Sequence, residues 1–251
     1  VGKNSAIAWT DHTFNPWWGC RKMPYRRECD ECYAHAFARR TGQDCFGNSH
    51  RRLFGASHWH EPFKWDAAAA KAGKRATVFC GSMCDVFEDH PDAESQRPKL
   101  WGLIRRTPSL TWLLLTKRVH PAFAMLPDDL IEDRERILIG ATIGTQSAAD
   151  ESATVVDFIS AEPLLERVDL SRWLKYPSVK TVIIGGESRG PYVGRECRIE
   201  WVRDLAEQSR AFGAKVFVKQ VHVNGKLSKD PSEWPEDLRV RELAWEVARA
   251  S

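Results

Sequence analysis

The chain predicts an α/β protein whose parallel strands form a barrel, or part of a TIM-like barrel. Three observations carry this. Short apolar runs rich in β-branched and aromatic residues recur along the sequence, as in strands buried on both faces. Helical stretches lie between them, which implies a parallel sheet with right-handed crossovers. Each run stops at polar, charged or glycine residues, as strands do where a barrel builds its site. The 251 residues suffice to close one barrel. They are read as a single domain over 1–251, with 221–251 as a C-terminal extension.

In chain order, a first strand falls around Thr13–Trp18, although Pro16 weakens it. A helix over Tyr33–Arg40 follows, then an Ala-rich helix over Phe63–Ala72 that stops at Gly73. Ala76–Cys80 is a strand and Arg97–Arg106 a helix. Strands are expected at Thr111–Leu115, Ile137–Ile143, Thr154–Ile159 and Thr181–Ile184. The helix Ile199–Phe212 puts Trp201, Val202, Leu205 and Phe212 on one face and ends at Gly213, before the strand Lys215–Val218. From Gly144 to Thr154 only about nine residues are available, fewer than the dozen or so a parallel crossover takes. Either its helix is missing or residues around Asp150–Ser152 are omitted. The Pro-rich, charged segment Asp230–Arg241 reads as a tail packed on the surface and not as a second domain.

The segments after the strands are Gly81-Ser82-Met83-Cys84-Asp85, Thr116-Lys117-Arg118, Gly144-Thr145-Gln146, Ser160-Ala161-Glu162-Pro163, Gly185-Gly186-Glu187-Ser188 and Lys219-Gln220. The plain alternative is that loops simply begin with polar residues. Charged and amide groups directly against every apolar run exceed what that alternative needs.

Hydrophobic residues at 43% and charged residues at 28% fit a folded protein and argue against disorder. No apolar run approaches the ~20 residues that cross a bilayer, so no membrane partner is expected. Val1–Asp11 has neither a basic flank nor a long apolar stretch, so no signal peptide is expected, and Val1 in place of Met suggests a trimmed start. The expected location is the cytoplasm. The formal net charge of +3 does not by itself imply a nucleic-acid partner. Residues 1–65, however, hold ten Lys/Arg against six Asp/Glu, with five of the eleven Trp and five of the eight His. The pairs Arg26-Arg27, Arg39-Arg40 and Arg51-Arg52, with His58, Trp59 and His60, form a basic aromatic set suited to phosphates and bases. The alternative is solvated loops and helix faces. Asp11, His12, Trp17 and Trp18 read as structural or packing residues.

Seven cysteines, an odd number, make a disulfide framework unlikely and a metal or redox use in a reducing compartment more natural. Cys20-x8-Cys29-x2-Cys32 places three thiolates within reach of one metal. Spacing alone admits a zinc knot, with Cys45 or His35 as fourth ligand, as readily as an iron–sulfur cluster. Cys80, Cys84 and Cys197 are expected to be buried structural thiols.

The blocks IAWTDHTFNPWWGC (Ile7–Cys20), CDECYA from Cys29, VFCGSMCDVFEDH (Val78–His90), WLLLTKR (Trp112–Arg118), SAEPLL (Ser160–Leu165), IIGGES (Ile183–Ser188), VKQ (Val218–Gln220) and WPEDLRVR (Trp234–Arg241) together resemble the phage-associated three-cysteine-motif proteins. That family in turn resembles radical S-adenosylmethionine (SAM) enzymes, near the spore photoproduct lyase branch. The first cysteine gap here is eight residues where that superfamily has three, and Glu31 stands where an aromatic often precedes the last cysteine, a role that Tyr33, just after that cysteine, is expected to take. The resemblance implies a radical-SAM-type barrel with the cluster loop near its N-terminus. It implies a [4Fe–4S] cluster on Cys20, Cys29 and Cys32, SAM on the open iron, and a 5′-deoxyadenosyl radical released after reduction by an external electron donor. Cys45 is then not a ligand. It further implies that Gly81, Ser82 and Asp85 meet the SAM amino group and that Thr142 and Thr145 reach the ribose. Glu162 and Glu187 bind ribose, the methionine end or substrate, or form salt bridges with Lys117, Arg118 or Lys219. Gly185 and Gly186 allow close approach of the cofactor. Lys117, Arg118, Lys219, Arg51 and Arg52 are the substrate or nucleic-acid residues. The implied function is a radical SAM enzyme acting on a DNA nucleobase, hypermodified or not. The alternatives are a peptide or small-metabolite substrate, or a non-catalytic zinc-stabilised nucleic-acid-binding protein.

Overall fold

The computed structural model describes residues 2–3, 5–151, 153–188 and 194–245. It is a mixed α/β fold in which most strands run parallel, and it divides into two compact units. The first comprises Val1–Lys22 and Ala34–Ile139; the second comprises Met23–Tyr33 and Gly140–Ser251. No helix among the described residues is long and apolar enough to cross a membrane.

In the first unit, β1 (Gly2–Lys3) runs antiparallel to β2 (His12–Phe14). Parallel pairing follows from β2 to β3 (Ala76–Cys80) and from β3 to β4 (Leu110–Thr116). The first strand is shorter than its sequence suggests because Asn15-Pro16 ends it. The helices are α1 (Tyr33–Arg40, in this unit from Ala34), α2 (Ala56–Lys71), α3 (Pro91–Arg105), α4 (Val119–Met125) and α5 (Asp128–Glu132). Both α2 and α3 begin earlier than expected. Pro62 reads as a helix breaker, yet α2 runs through it because Trp59 and Trp65 on either side are buried. Burying such rings at roughly 1.5–3 kcal/mol each outweighs the ~3 kcal/mol a proline costs. Helix α3 starts at Pro91, whose missing N–H is no loss in a first turn, and His90 caps it by accepting from Asp92 N at 3.2 Å. The core between α2 and the strands holds Phe14, whose ring meets Trp59 and Trp112 edge-on at 5.3 and 5.8 Å.

Strand β5 (Ile137–Thr142) starts in the first unit and continues in the second from Gly140. There it is followed by β6 (Phe158–Ala161), β7 (Thr181–Gly185) and β8 (Lys215–Val223), all parallel to their neighbours. Strand β6 begins four residues later than its β-branched run. Thr154–Val156 have the propensity, but pairing to both neighbours starts at Phe158. Strand β8 extends past Val218 into a hairpin with β9 (Lys226–Ser228), closed by Asn224 and Gly225 at positive φ. The helices are α6 (Gln146–Ala149), α7 (Ser171–Leu174) and α8 (Ile199–Ala211), and α8 buries Val202, Leu205 and Ala206 against β7 and β8. The short crossover after Gly144 is filled by the single turn α6, capped by Thr145. Of the omission expected at Asp150–Ser152, Ser152 lies outside the described residues.

The C-terminal segment is packed on the protein, and more deeply than its Pro-rich, charged composition suggests. Trp234 and Leu238 are buried, as is Leu243 just beyond it. Val218 N donates to Val240 O and Glu242 N to Val216 O, which pairs this stretch with β8.

His58 on α2 donates from Nε2 to Asn15 O at 2.7 Å and stacks on Phe54. Burial pulls its pKa from 6.5 down to about 4, against the opposing pull of that hydrogen bond. The native chain resists protonation while the unfolded chain accepts it. Stability present above pH 6.5 is therefore lost as the pH falls toward about 4. His58→Gln should flatten this part of the acid limb, read from urea midpoints across that interval.

Candidate functional site at the strand ends

In the first unit, Cys20 sits in a loop tied to the turn after β3. Gly19 N donates to Met83 O at 2.9 Å, and Gly47 N donates to Cys20 O at 3.1 Å. Gly19 has φ +104°, and a Cβ there would fall 1.7 Å from Cys45 O, so only glycine brings the loop this close. Beneath it lies the Arg51–Glu88 ion pair at 2.8 Å, both side chains essentially inaccessible. Glu88 Oε2 also accepts from Arg21 N at 3.0 Å.

This corrects one expectation. Arg51 does not face solvent or a nucleic acid; its remaining hydrogens go to Cys45 O, Ser49 O and Gly47 O. Arg26 is likewise buried and paired with Glu151 at 2.8 Å. Both were read as surface cations because a sequence does not reveal which member of an arginine pair turns inward. Arg52 is half-buried, with its guanidinium 4.3 Å from the Trp18 ring centroid.

The turn after β3 is organised by its own polar groups. Ser82 Oγ accepts from Asn15 Nδ2 at 2.9 Å, and Gly81 N donates to Phe14 O. Asp85 is buried and accepts four hydrogen bonds: from Phe87 N (3.1 Å), Thr116 Oγ1 (2.7 Å), Lys117 N (3.2 Å) and Arg118 Nη1 (2.9 Å). Its acceptor capacity is spent inside the protein, so it does not serve as the free acceptor for an ammonium that the resemblance implied. Its work is to orient Arg118, whose Nη2 donates to Arg21 O beside Cys20.

In the second unit, the segment carrying Cys29 and Cys32 is anchored to the end of β5. Glu28 Oε1 accepts from Gly144 N at 2.9 Å and from Thr145 Oγ1 at 3.1 Å, and Arg26 Nη1 donates to Thr142 O at 3.1 Å. A Cβ on Gly144 would fall 1.8 Å from Pro163 O, so this approach also requires glycine. Thr142 and Thr145 are buried, and Thr145 is committed to Glu28 and to capping α6. Glu162, after β6, pairs with Lys219, as the salt-bridge alternative expected, and accepts from Gln220 Nε2 at 3.3 Å; Lys219 and Gln220 lie within β8, which runs past the strand end expected at Val218. Glu187, after β7, pairs with Arg195 at 2.5 Å, a partner the sequence did not suggest. Gly185 and Gly186 are engaged by backbone bonds: Gly185 O accepts from Leu164 N, and Gly186 N donates to Gln220 O.

No disulfide joins the seven cysteines. Burial pushes the thiols of Cys45, Cys80 and Cys84 up, and that of Cys197 up to about 12, which keeps them protonated and unsuited to bind metal. Cys20 and Cys32 are half-exposed and Cys29 is buried. Among the described residues, no three His, Cys, Asp or Glu side chains are gathered so as to hold a metal ion. Sequence reasoning missed Glu28 and Glu88, the two carboxylates that hold the cysteine loops. Their only signal was position: one lies inside the eight-residue cysteine gap, the other just past a strand end.

The Arg51–Glu88 pair yields a direct expectation. Glu88→Ala leaves a buried guanidinium without its carboxylate and should cost about 3–5 kcal/mol. Arg52→Ala, one residue along, should change stability by no more than about 0.5 kcal/mol. Urea denaturation of the two variants measures the contrast.

Residues 4–239 match a protein family described as of unknown function, DUF5131. No curated protein and no solved structure matches the chain. With nearly its whole length covered by that match, the chain belongs to the DUF5131 family.

Proposed function

We propose that the chain is a radical SAM enzyme in which Cys20, Cys29 and Cys32 ligate one [4Fe–4S] cluster. In this reading the parallel strands are those of a TIM-like barrel. One observation carries it: in each unit, the loop bearing cysteines is hydrogen-bonded to the segment between a parallel strand and the next helix, at Met83 and Glu88 in one and at Gly144 and Thr145 in the other. Strand C-terminal ends are where barrels place their chemistry. The donor set suits the group: three thiols outside any disulfide leave one iron free of protein ligands. The side chains are not gathered among the described residues, so in this reading the cluster itself completes the ligand set.

A cluster held by Cys20, Cys29 and Cys32 would supply one-electron reductive chemistry toward a bound SAM sulfonium, the electron coming from an external donor. The chain's own residues then have distinct work. Glu88 and Arg51 hold the Cys20 loop, and Glu28 holds the Cys29 segment. Arg118, oriented by Asp85, sets a positive charge beside Cys20. Glu162 at the end of β6, paired with Lys219, and Gln220 beside it within β8 offer polar contacts to SAM or substrate.

Anaerobic reconstitution with iron and sulfide, then dithionite and SAM, should yield a brown protein and 5′-deoxyadenosine. Cys20→Ala, Cys29→Ala and Cys32→Ala should each lose most of the iron, and Cys45→Ala should keep it. A colourless protein with stoichiometric zinc, or equal loss of iron from Cys45→Ala, would overturn the proposal.

A further inference from the structure

The first unit carries a run of alternating cations and aromatic rings outside the strand-end site. Starting on α1, the Arg40 guanidinium lies 5.3 Å from the Phe37 ring centroid. Phe37 meets Trp18 edge-on at 5.7 Å, and Arg52 sits 4.3 Å over the Trp18 ring. Arg52 also lies 5.3 Å from the ring of Phe54, which stacks on His58 at 4.0 Å with a 7° interplanar angle. Six side chains from four separate stretches of sequence thus form one continuous track. Phe37 is 37% exposed, so the track reaches solvent there. Among the described residues, no carboxylate pairs with Arg40 or Arg52. This contrasts with Arg51, next in sequence, which is fully paired inside.

We propose that this track binds single-stranded nucleic acid. Two cations without carboxylate partners call for an anionic ligand. Rings spaced a few ångströms apart on a surface call for flat faces to stack upon. A strand with unpaired bases supplies both: phosphates for the arginines and bases for Phe37, Trp18 and Phe54. A duplex offers the phosphates but keeps its base faces stacked internally. An acidic peptide offers charge without regular flat faces. The binding surface stands without the cluster reading; only the further step, that the bound strand is the substrate, rests on it.

The test is fluorescence anisotropy of the full chain with a labelled oligothymidylate of about a dozen nucleotides, titrated at several salt concentrations. Binding should weaken with salt, and the Arg40→Gln/Arg52→Gln pair should make the log–log slope shallower by about 1.4, at roughly 0.7 per phosphate contact. Phe37→Ala, which removes a stacking face and little else, should lower affinity roughly 5- to 150-fold. Unchanged thermal midpoints in these surface variants would assign the losses to the surface. Three results would overturn the proposal: no binding at micromolar protein in low salt, a duplex of the same length bound as tightly, or polyglutamate competing as well as unlabelled oligothymidylate. None of these touches iron binding or 5′-deoxyadenosine release, so the two proposals fail separately.

Discussion

The buried pair of Arg51 and Glu88 is the interaction on which the first unit's functional loops depend. An ion pair removed from water survives only when every remaining donor and lone pair finds a partner. Here the guanidinium reaches that condition. Its five hydrogens meet both Glu88 oxygens and the carbonyls of Cys45, Ser49 and Gly47. Each of those carbonyls belongs to the loop after α1, and Glu88 in turn receives Arg21 N from the cysteine loop. Three segments far apart in sequence are therefore fixed by one satisfied charge pair. The backbone extends the arrangement: Arg51 N donates to Asp92 at 2.8 Å, and that bond holds the Asp92 carboxyl below its usual range.

The same solution recurs after other strands. Asp85 is met by Arg118, Glu162 by Lys219, Glu187 by Arg195 and Glu28 by Arg26. Charges at the ends of parallel strands are costly unless paired, so each unit spends most of its polar groups on its own loops. The cost divides the strand-end residues into two sets. Asp85 and Thr145 have no capacity left for a ligand. Lys219, Glu162 and Gln220 keep partial access and several hydrogen-bonding groups in one place. In the proposed reading, chemistry in the second unit works through this latter set.

Much of the fold was legible from residue pattern. Ala76–Cys80 and Tyr33–Arg40 coincide with a strand and a helix, because apolar β-branched runs and an arginine-ended helical face are local signals. Two helix starts were obscured by Pro62 and by Pro91, where tertiary burial and an N-terminal cap override or exploit the residue. The site was legible only in outline. Residues after the strands were found because they abut apolar runs, but their partners were not. Glu28 reaches Gly144 across 116 residues, and no local signal encodes such a pairing.

The arginine doublets show why composition overstates a binding surface. On extended backbone, successive side chains point to opposite faces. Arg52 pairs its backbone with Trp18 in an antiparallel bridge, so one member of the doublet must turn inward. Arg51 goes to Glu88, and Arg52 lies on Trp18. Arg26 and Arg27 divide the same way: one is buried beside Glu28, the other exposed and bonded to Glu166. Arg39 and Arg40 sit in the last turn of a helix, where neighbours are not forced apart, and both remain exposed. Of six arginines that look alike in sequence, two are therefore internal braces. A positive count becomes a binding surface only after backbone geometry has removed the members that turn inward.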